Sequence, residues 1–427
     1  MDEQLTKIVY LDNNFTTLMS KPVLDTLLAW CNRGISSEEY VKESRQMMNN
    51  FRKTIAIECG FELVGPLAYE VIFTSGASES NCHIITSAVR SYAAKTKCLP
   101  HVITSASEHK SVLLCCKQLK MEKLCQLTIL PVSNKNPGFG SVDCADLTAA
   151  IRTNTCLISI MSANHETGIL NNIRALSKIA KSEKIPFHTD AVQLFGKSIV
   201  KPLSLGIDAF SASFHKLGGP PGVGILVIRR ALIEGYNLCP YIYGSQNNGM
   251  RGGAENLSGI AASFTAFRTA MTDRAAKTST VLQMKNALRQ VIESRYKCFY
   301  INDHPEDELK SIDGGITLPK KITYNGSLQA LQALQNDTTV IFWIAPLEET
   351  CILPNTLVFA VRKVGFCSKT ACAELNKRGI IISTIEITGI TIPTALRSNI
   401  LRISLSDDTT IDDIKLFAVH FIAIMQA

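Results

Sequence analysis

From about residue 70 to 230, short apolar runs alternate with longer amphipathic stretches. "YEVIFTS" leads into a helix-like segment to about Lys95, and "HVITSAS" leads into another helix. Then come "LTILPV", "CLISIMSA", a third helix, "IPFHTDA", "DAFSASF" and "GVGILVIRR". Runs that are apolar on both faces and separated by helices predict an α/β fold, a mostly parallel sheet sandwiched between helices. Beyond "RGGAENLSGIAASFTAF" the pattern predicts a long helical stretch to about Lys297. The order then turns irregular, mixing strand-like "GGITLPKKITY" and "NTLVFAV" with helix-like "SKTACAELNKR". This predicts a smaller α+β domain closing with "NILRISLS" and a last helix, opened by a capping box between Thr410 and Asp413. The predicted division is a large domain over 11–265 and a small one over 266–427 joined by 1–10. The segment 327–352, with "SLQALQALQ" and "VIFWIAP", reads as an elaboration of the small domain.

The 427 residues, 46% apolar and 19% charged, suffice for one or two sizeable cores. A net charge of +7 is spread along the chain without like-charge blocks or aromatic-basic interleaving. That argues against a nucleic-acid partner and suits an anionic ligand. The polar opening "MDEQLTKIVY" is no secretory signal, and no apolar run approaches the roughly 20 residues that span a bilayer. A cytoplasmic protein without a membrane partner is expected, or a virion protein were the chain viral. Fourteen cysteines without a CxxC pair argue against a zinc or thioredoxin-type site and against any metal. Cys115, Cys116 and Cys372 fall in helix-like stretches and read as small core residues.

Ligands of open α/β sheets bind beyond the carboxyl ends of the strands. Those ends carry a coherent set here. Thr74-Ser75-Gly76-Ala77-Ser78 runs into a helix and offers amides, hydroxyls and a positive dipole end to a phosphate. Glu108-His109, Asn164-His165-Glu166-Thr167-Gly168, Asp190 with Gln193, and Ser213, His215 and Lys216 follow the next runs. Taken singly, Ser78 is as good a plain helix cap, Asp190 a structural carboxylate, and Lys216 a solvated lysine. Together, a phosphate cup, a carboxylate, an imidazole and an amine suit a phosphorylated aromatic aldehyde.

The chain resembles the NifS-like cysteine desulfurases, in the class V aminotransferase group of pyridoxal-phosphate enzymes with fold type I. The resemblance rests on "YLDNNFTT", "FTSGASESN", "EHKSVL", "ETGI", "HTDAVQLFGK", "SFHKLGGPPGVG", "GMRGGAEN", "LPNTL" and "LRISL", in family order over nearly the whole chain. It implies pyridoxal 5'-phosphate as cofactor, held by Lys216 in a Schiff base, with the same lysine later moving the substrate's α-proton. Asp190 is implied at the pyridinium nitrogen, His109 on the ring face and Gln193 at the phenolic oxygen. Ala77, Ser78, Ser213 and His215 are implied around the phosphate. Arg402 is implied as the fork for an amino acid's carboxylate. A homodimer is also implied, because the "GMRGGAEN" loop completes the neighbouring subunit's site in the family.

Three positions depart from the family. The desulfurases carry a nucleophilic cysteine in a mobile loop, whereas "GIIISTIEITGITIPTALRSNILRIS" contains none and is short. His165 replaces an asparagine close to the ring oxygen and the substrate carboxylate, and is either a replacement donor or an added acid-base group. Ala254 replaces a threonine that reaches the partner's phosphate. Three readings follow. One is a desulfurase using another cysteine, with Cys367 a candidate by sequence proximity and an unknown sulfur acceptor. The second is a transaminase or lyase on another small amino acid, and the third a non-catalytic interaction protein that retains the cofactor. The expectation is a NifS-like pyridoxal-phosphate enzyme acting on a small amino acid, cysteine desulfurase-like but without the loop cysteine, so that desulfurase activity is weak or absent; the transaminase or lyase and the non-catalytic protein are the alternatives.

Overall fold

The computed structural model describes residues 8–33, 38–135, 138–198, 200–301, 339–345, 349–392 and 394–426. It begins with a two-residue strand, β1 (Val9–Tyr10), and then builds a seven-stranded sheet. The strands of that sheet are β2 (Tyr69–Thr74), β3 (His101–Ser105), β4 (Gln126–Leu130), β5 (Thr155–Ser159), β6 (Phe187–Asp190), β7 (Ala209–Ser213) and β8 (Gly224–Arg229). Their order is β2-β8-β7-β6-β5-β3-β4. From β4 across to β7 the neighbours are parallel, and β8 runs against both β7 and β2. Every residue of β3, β5, β6 and β7 is buried, as strands covered by helices on both faces must be. β4 lies on one side of β3 and β5 on the other, so the winding reverses there and leaves a crevice at the strands' carboxyl ends.

The larger core is aromatic. Phe51, on the helix Glu38–Cys59, is fully buried and meets Phe73, Phe214, Phe264 and Phe267 with ring centroids 4.7 to 5.9 Å apart. Phe214 is thereby anchored two residues before Lys216, and each such burial contributes about 1.5–3 kcal/mol. The helical stretch predicted to about Lys297 consists of two helices, Leu257–Met271 and Arg274–Glu293. Asp273 between them takes a left-handed backbone (φ 52°), which a short side chain tolerates better than most and which no helix can continue through.

The second sheet comprises β9 (Lys297–Tyr300), β10 (Val340–Trp343), β11 (Thr356–Arg362), β13 (Ser383–Thr384) and β14 (Ile400–Ser404), in the order β13-β14-β11-β10-β9. A further short strand, β12 (Ile380–Ile381), pairs in parallel with β1. "VIFW", read above as part of an elaboration, is a fully buried inner strand of this sheet. Its β-branched and aromatic side chains suit a strand covered on both faces. The strand-like "GGITLPKKITY" and the helix-like "SLQALQALQ" lie outside the described residues. The last helix, Ile411–Gln426, opens as expected: the Thr410 amide and hydroxyl both donate to Asp413 Oδ2, and the Asp413 amide donates to Thr410 Oγ1 at 3.2 Å. Cys116 is buried, and Cys115 and Cys372 are partly buried against their cores. No helix among the described residues is long and apolar enough to cross a membrane.

Where β8 starts, Gly224 lets the sheet close up beneath the loop after β2. A Cβ on it would lie 2.6 Å from the backbone of Gly76 and 2.8 Å from the Ala212 carbonyl oxygen. Gly224→Ala is expected to cost about 1–3 kcal/mol, because rigid backbone and not a pliable side chain would have to move. Urea unfolding of the two proteins checks this, and equal midpoints would contradict it.

Candidate active site

Five of the strand-end groups gather at the crevice. Asp190 ends β6 and is 4% exposed. Its Oδ2 accepts from Asn81 Nδ2 at 2.8 Å and its Oδ1 from the Val192 amide at 3.0 Å, and neither donor is charged. Burial raises its carboxyl above the usual carboxylate range, and those hydrogen bonds, with His109 and Lys216, pull it back. Asn81 also donates to Ser111 Oγ at 3.0 Å, and Ser111 holds the His109 ring. The Ser111 amide donates to His109 Nδ1 at 3.2 Å, which puts the proton of the neutral ring on Nε2. The His165 ring stands edge-on to it, 5.1 Å between centroids and 75° between planes. Burial, with His109 and Arg402 beside it, pushes His165 down to about 3, so it is neutral.

Lys216 sits in the 3-10 turn Phe214–Leu217 that follows β7. Thr17 ties the turn down: its amide donates to the His215 carbonyl at 2.9 Å and its hydroxyl to that of Lys216 at 3.1 Å. The Lys216 amine donates to the carbonyl oxygens of Asn14 (2.8 Å) and Phe15. Burial, then Arg402, lowers its pKa to about 8. Gln193 is buried close by, with Nε2 on the Asn14 carbonyl at 2.9 Å and Oε1 taking Lys197 Nζ, also at 2.9 Å. A cavity of about 360 Å³ reaches Lys216 and Lys197 from the side of Arg274 and Asn355 but touches neither Asp190 nor His109. The chemistry sits with the carboxylate and the imidazole, so that cavity is not the site.

Arg402, on β14, is 6% exposed. Its Nη2 donates to Asp12 Oδ1 at 2.7 Å and to Ser383 Oγ at 3.2 Å, and its Nη1 to the His165 carbonyl at 2.8 Å. Its Nε is buried without a partner among the described residues. The guanidinium is therefore pre-aimed, with one donor unspent.

At the loop after β2, Gly76 has φ 155°, and an added Cβ there would meet no atom within 4 Å. No side chain caps the helix Ala77–Thr96. Its first acidic residue, Glu79, instead takes the Ser75 amide at 2.8 Å and pairs with Arg251 at 3.0 Å. Ser78 is exposed, and Ala77 and Ser213 are buried. His215, lowered to about 4 by burial, has its Nδ1 on Thr16 Oγ1 at 3.1 Å. Ala254 is exposed, three residues beyond Arg251. Cys367 is exposed ahead of the helix Ser368–Lys377, and hydrogen bonds from the Thr370 and Lys369 amides and the Thr370 hydroxyl lower its thiol pKa.

Sequence reasoning missed Asp12, Asn14, Asn81 and Lys197. All four lie inside the quoted motifs, yet nothing in spacing says that Asp12 would meet a residue 390 positions away. Glu108, read above as a strand-end carboxylate, is buried beneath the site, where its Oε1 accepts from Ser105 Oγ and the Met161 amide, both at 2.7 Å.

Two expectations follow. Asp12→Ala leaves the Arg402 charge buried and unpaired, which should cost about 3–5 kcal/mol in urea unfolding. Burial raises Glu108 to about 8, so the native state holds a proton that the unfolded chain releases near pH 4 to 5. Its contribution is complete below the unfolded value and lost as pH rises through 8. Glu108→Gln should therefore flatten the fall in melting temperature between pH 5 and pH 8. An unchanged slope would show that Glu108 is not the group responsible.

Comparison with known proteins agrees with this geometry. Residues 9–313 match the family described as aminotransferase class-V. The chain is 37% identical over 300 residues to a cysteine desulfurase IscS of Dictyoglomus turgidum, covering 69% of this chain and 72% of that one. It is 34% identical over 308 residues to a cysteine desulfurase IscS of Methanosarcina thermophila, covering 71% and 72%. A solved NifS-like protein superposes with a TM-score of 0.77 at 25% identity, over 98% of this chain and all of that one. The family depends on pyridoxal phosphate. The residues present fit that group: a buried carboxylate with uncharged partners suits a ring N–H cation, and an uncapped helix start with open space before Gly76 suits a phosphate. The chain belongs to the class-V aminotransferase family, as a NifS-like, pyridoxal-phosphate-dependent enzyme of fold type I.

Proposed function

We propose that this enzyme converts a small amino acid and that the sulfur-transfer step of a desulfurase is weak or absent in it. The observation that carries the reading is the convergence of Lys216, Asp190, His109 and Arg402 on one crevice, with no cysteine between Ser383 and Arg402. In this reading Asp190 holds the ring nitrogen, His109 the ring face, and Gln193 the phenolic oxygen through its second N–H. Ser78, Ser213, His215 and the amides from Ala77 onward hold the phosphate. The bound cofactor supplies an electron sink for the substrate's α-carbon.

The chain's own residues do the remaining work. A lysine amine lowered to about 8 is partly unprotonated at neutral pH, so Lys216 serves as nucleophile and carries the α-proton on Nζ. Arg402 receives the substrate carboxylate on its unspent Nε, while Asp12 holds its Nη2. His165 is neutral and contributes a hydrogen bond, not a charge. Persulfide formation needs a thiolate at the substrate sulfur. Cys367 is the accessible thiol nearest in sequence to the missing one, and its exposure supports no role at the buried fork. The two cores support a large cofactor-binding domain and a smaller one. The resemblance of "GMRGGAEN" to the family's loop that completes the neighbouring site supports a homodimer; within this chain Arg251 of that loop pairs with Glu79.

The purified protein reconstituted with pyridoxal phosphate should absorb in the visible, and Lys216→Ala should lose that band. Screening amino acids by spectral shift should find a small one that responds, with keto-acid formation and little sulfide from L-cysteine. Rapid sulfide release that survives Cys367→Ser would contradict the reading. A protein that binds cofactor but answers to no amino acid would favour a non-catalytic role.

A further inference from the structure

The segment Ile385–Ile392 occupies the stretch where a cysteine-bearing mobile loop is expected, and it is tied down. Its apolar residues face inward: Ile385, Ile387 and Ile392 pack on a core beneath the smaller sheet, and Ile390 touches both that core and the core of the larger sheet. On its polar side, the Thr388 amide and hydroxyl donate to Glu166 Oε2 at 2.9 and 3.2 Å. The Thr391 amide donates to Asn134 Oδ1 at 2.8 Å. Gly389 (φ 84°) presses on the loop before His109, where an added Cβ would stand 3.3 Å from Val132 Cγ2 and 3.4 Å from the Ser107 amide.

Glu166 joins this segment to the site. Its Oε1 lies 3.8 Å from Nε2 of the neutral His165, a polar contact, while Oε2 holds Thr388. His165 gives its carbonyl to Arg402 and its ring edge to His109. Contacts thus run without a gap from Thr388 through Glu166 and His165 to the carboxylate fork. The segment rests on the loops that carry both histidines, so it bounds the space above them.

We propose that Ile385–Ile392 is a fixed strap across the site, that Glu166 is the positioning residue that latches it, and that the strap restricts the enzyme to amino acids with short side chains. The last part rests on the function proposed above; the latch does not. Two donors on one carboxylate oxygen and a second anchor at Asn134 hold the strap without any ligand.

Amide hydrogen exchange on the full chain, as purified with cofactor, tests the latch. The Thr388 and Thr391 amides should be protected in the wild type. Glu166→Ala should raise exchange at Thr388 by about tenfold or more while the helix Ile411–Gln426 is unaffected. Glu166→Gln, which keeps an acceptor oxygen, should restore protection, and Asn134→Ala should release Thr391 instead. An unprotected Thr388 in the wild type, or no change in Glu166→Ala, overturns the latch. Spectral titration with L-alanine and L-phenylalanine tests the filter: the wild type should discriminate against phenylalanine, and Glu166→Ala should narrow the ratio. An unchanged ratio overturns the filter. If neither amino acid shifts the wild-type spectrum, the proposed function fails while the exchange result still decides the latch.

Discussion

Asn14 is the joint on which the site depends. It is 1% exposed, and its polar groups are shared between the two sheets. Its amide donates to Ser404 Oγ and its Nδ2 to Thr356 Oγ1, both on strands of the smaller sheet. Its Oδ1 takes Lys197 and Asn355, and its carbonyl takes Lys216 and Gln193. A buried polar group left unpaired costs about 1–3 kcal/mol, so this set holds as a unit or not at all. Through it the lysine of the larger sheet and the arginine of the smaller one stay in register.

Charge is distributed around that joint in an uneven way. Lys197 and Lys216 are both lowered by burial and share one asparagine, with no carboxylate among the described residues bonded to either. Arg402 has a carboxylate partner, yet keeps one buried N–H unsatisfied. Asp190 is raised by burial and is held by uncharged donors. Such mismatches cost stability in an isolated chain and are typical of sites prepared for a charged ligand. In the proposed reading a cationic ring nitrogen complements Asp190 and a substrate carboxylate complements Arg402.

The absent cysteine has a structural counterpart. Where a mobile nucleophile is expected, the chain places alternating isoleucines and threonines, a pattern that buries one face and bonds the other. The missing cysteine and the shortness of the stretch were legible in the sequence. Its docking onto Glu166 and Asn134 was not, because both partners are more than 200 positions away and are brought near only by the crossing of the two sheets.

The α/β order, the parallel strands and the strand-end residues could be read from the chain, because buried parallel strands are continuous apolar runs and the residues after them are forced to one edge. The family motifs likewise singled out Lys216, Asp190, His109 and Arg402. Only the tertiary structure decided that the long helical stretch breaks at Asp273, that "VIFW" is an inner strand, and that Asp12 and Asn14 organise the site. Local pattern reports which face of an element is buried. It carries no information about which distant polar group will be waiting there, and that pairing is settled by packing alone.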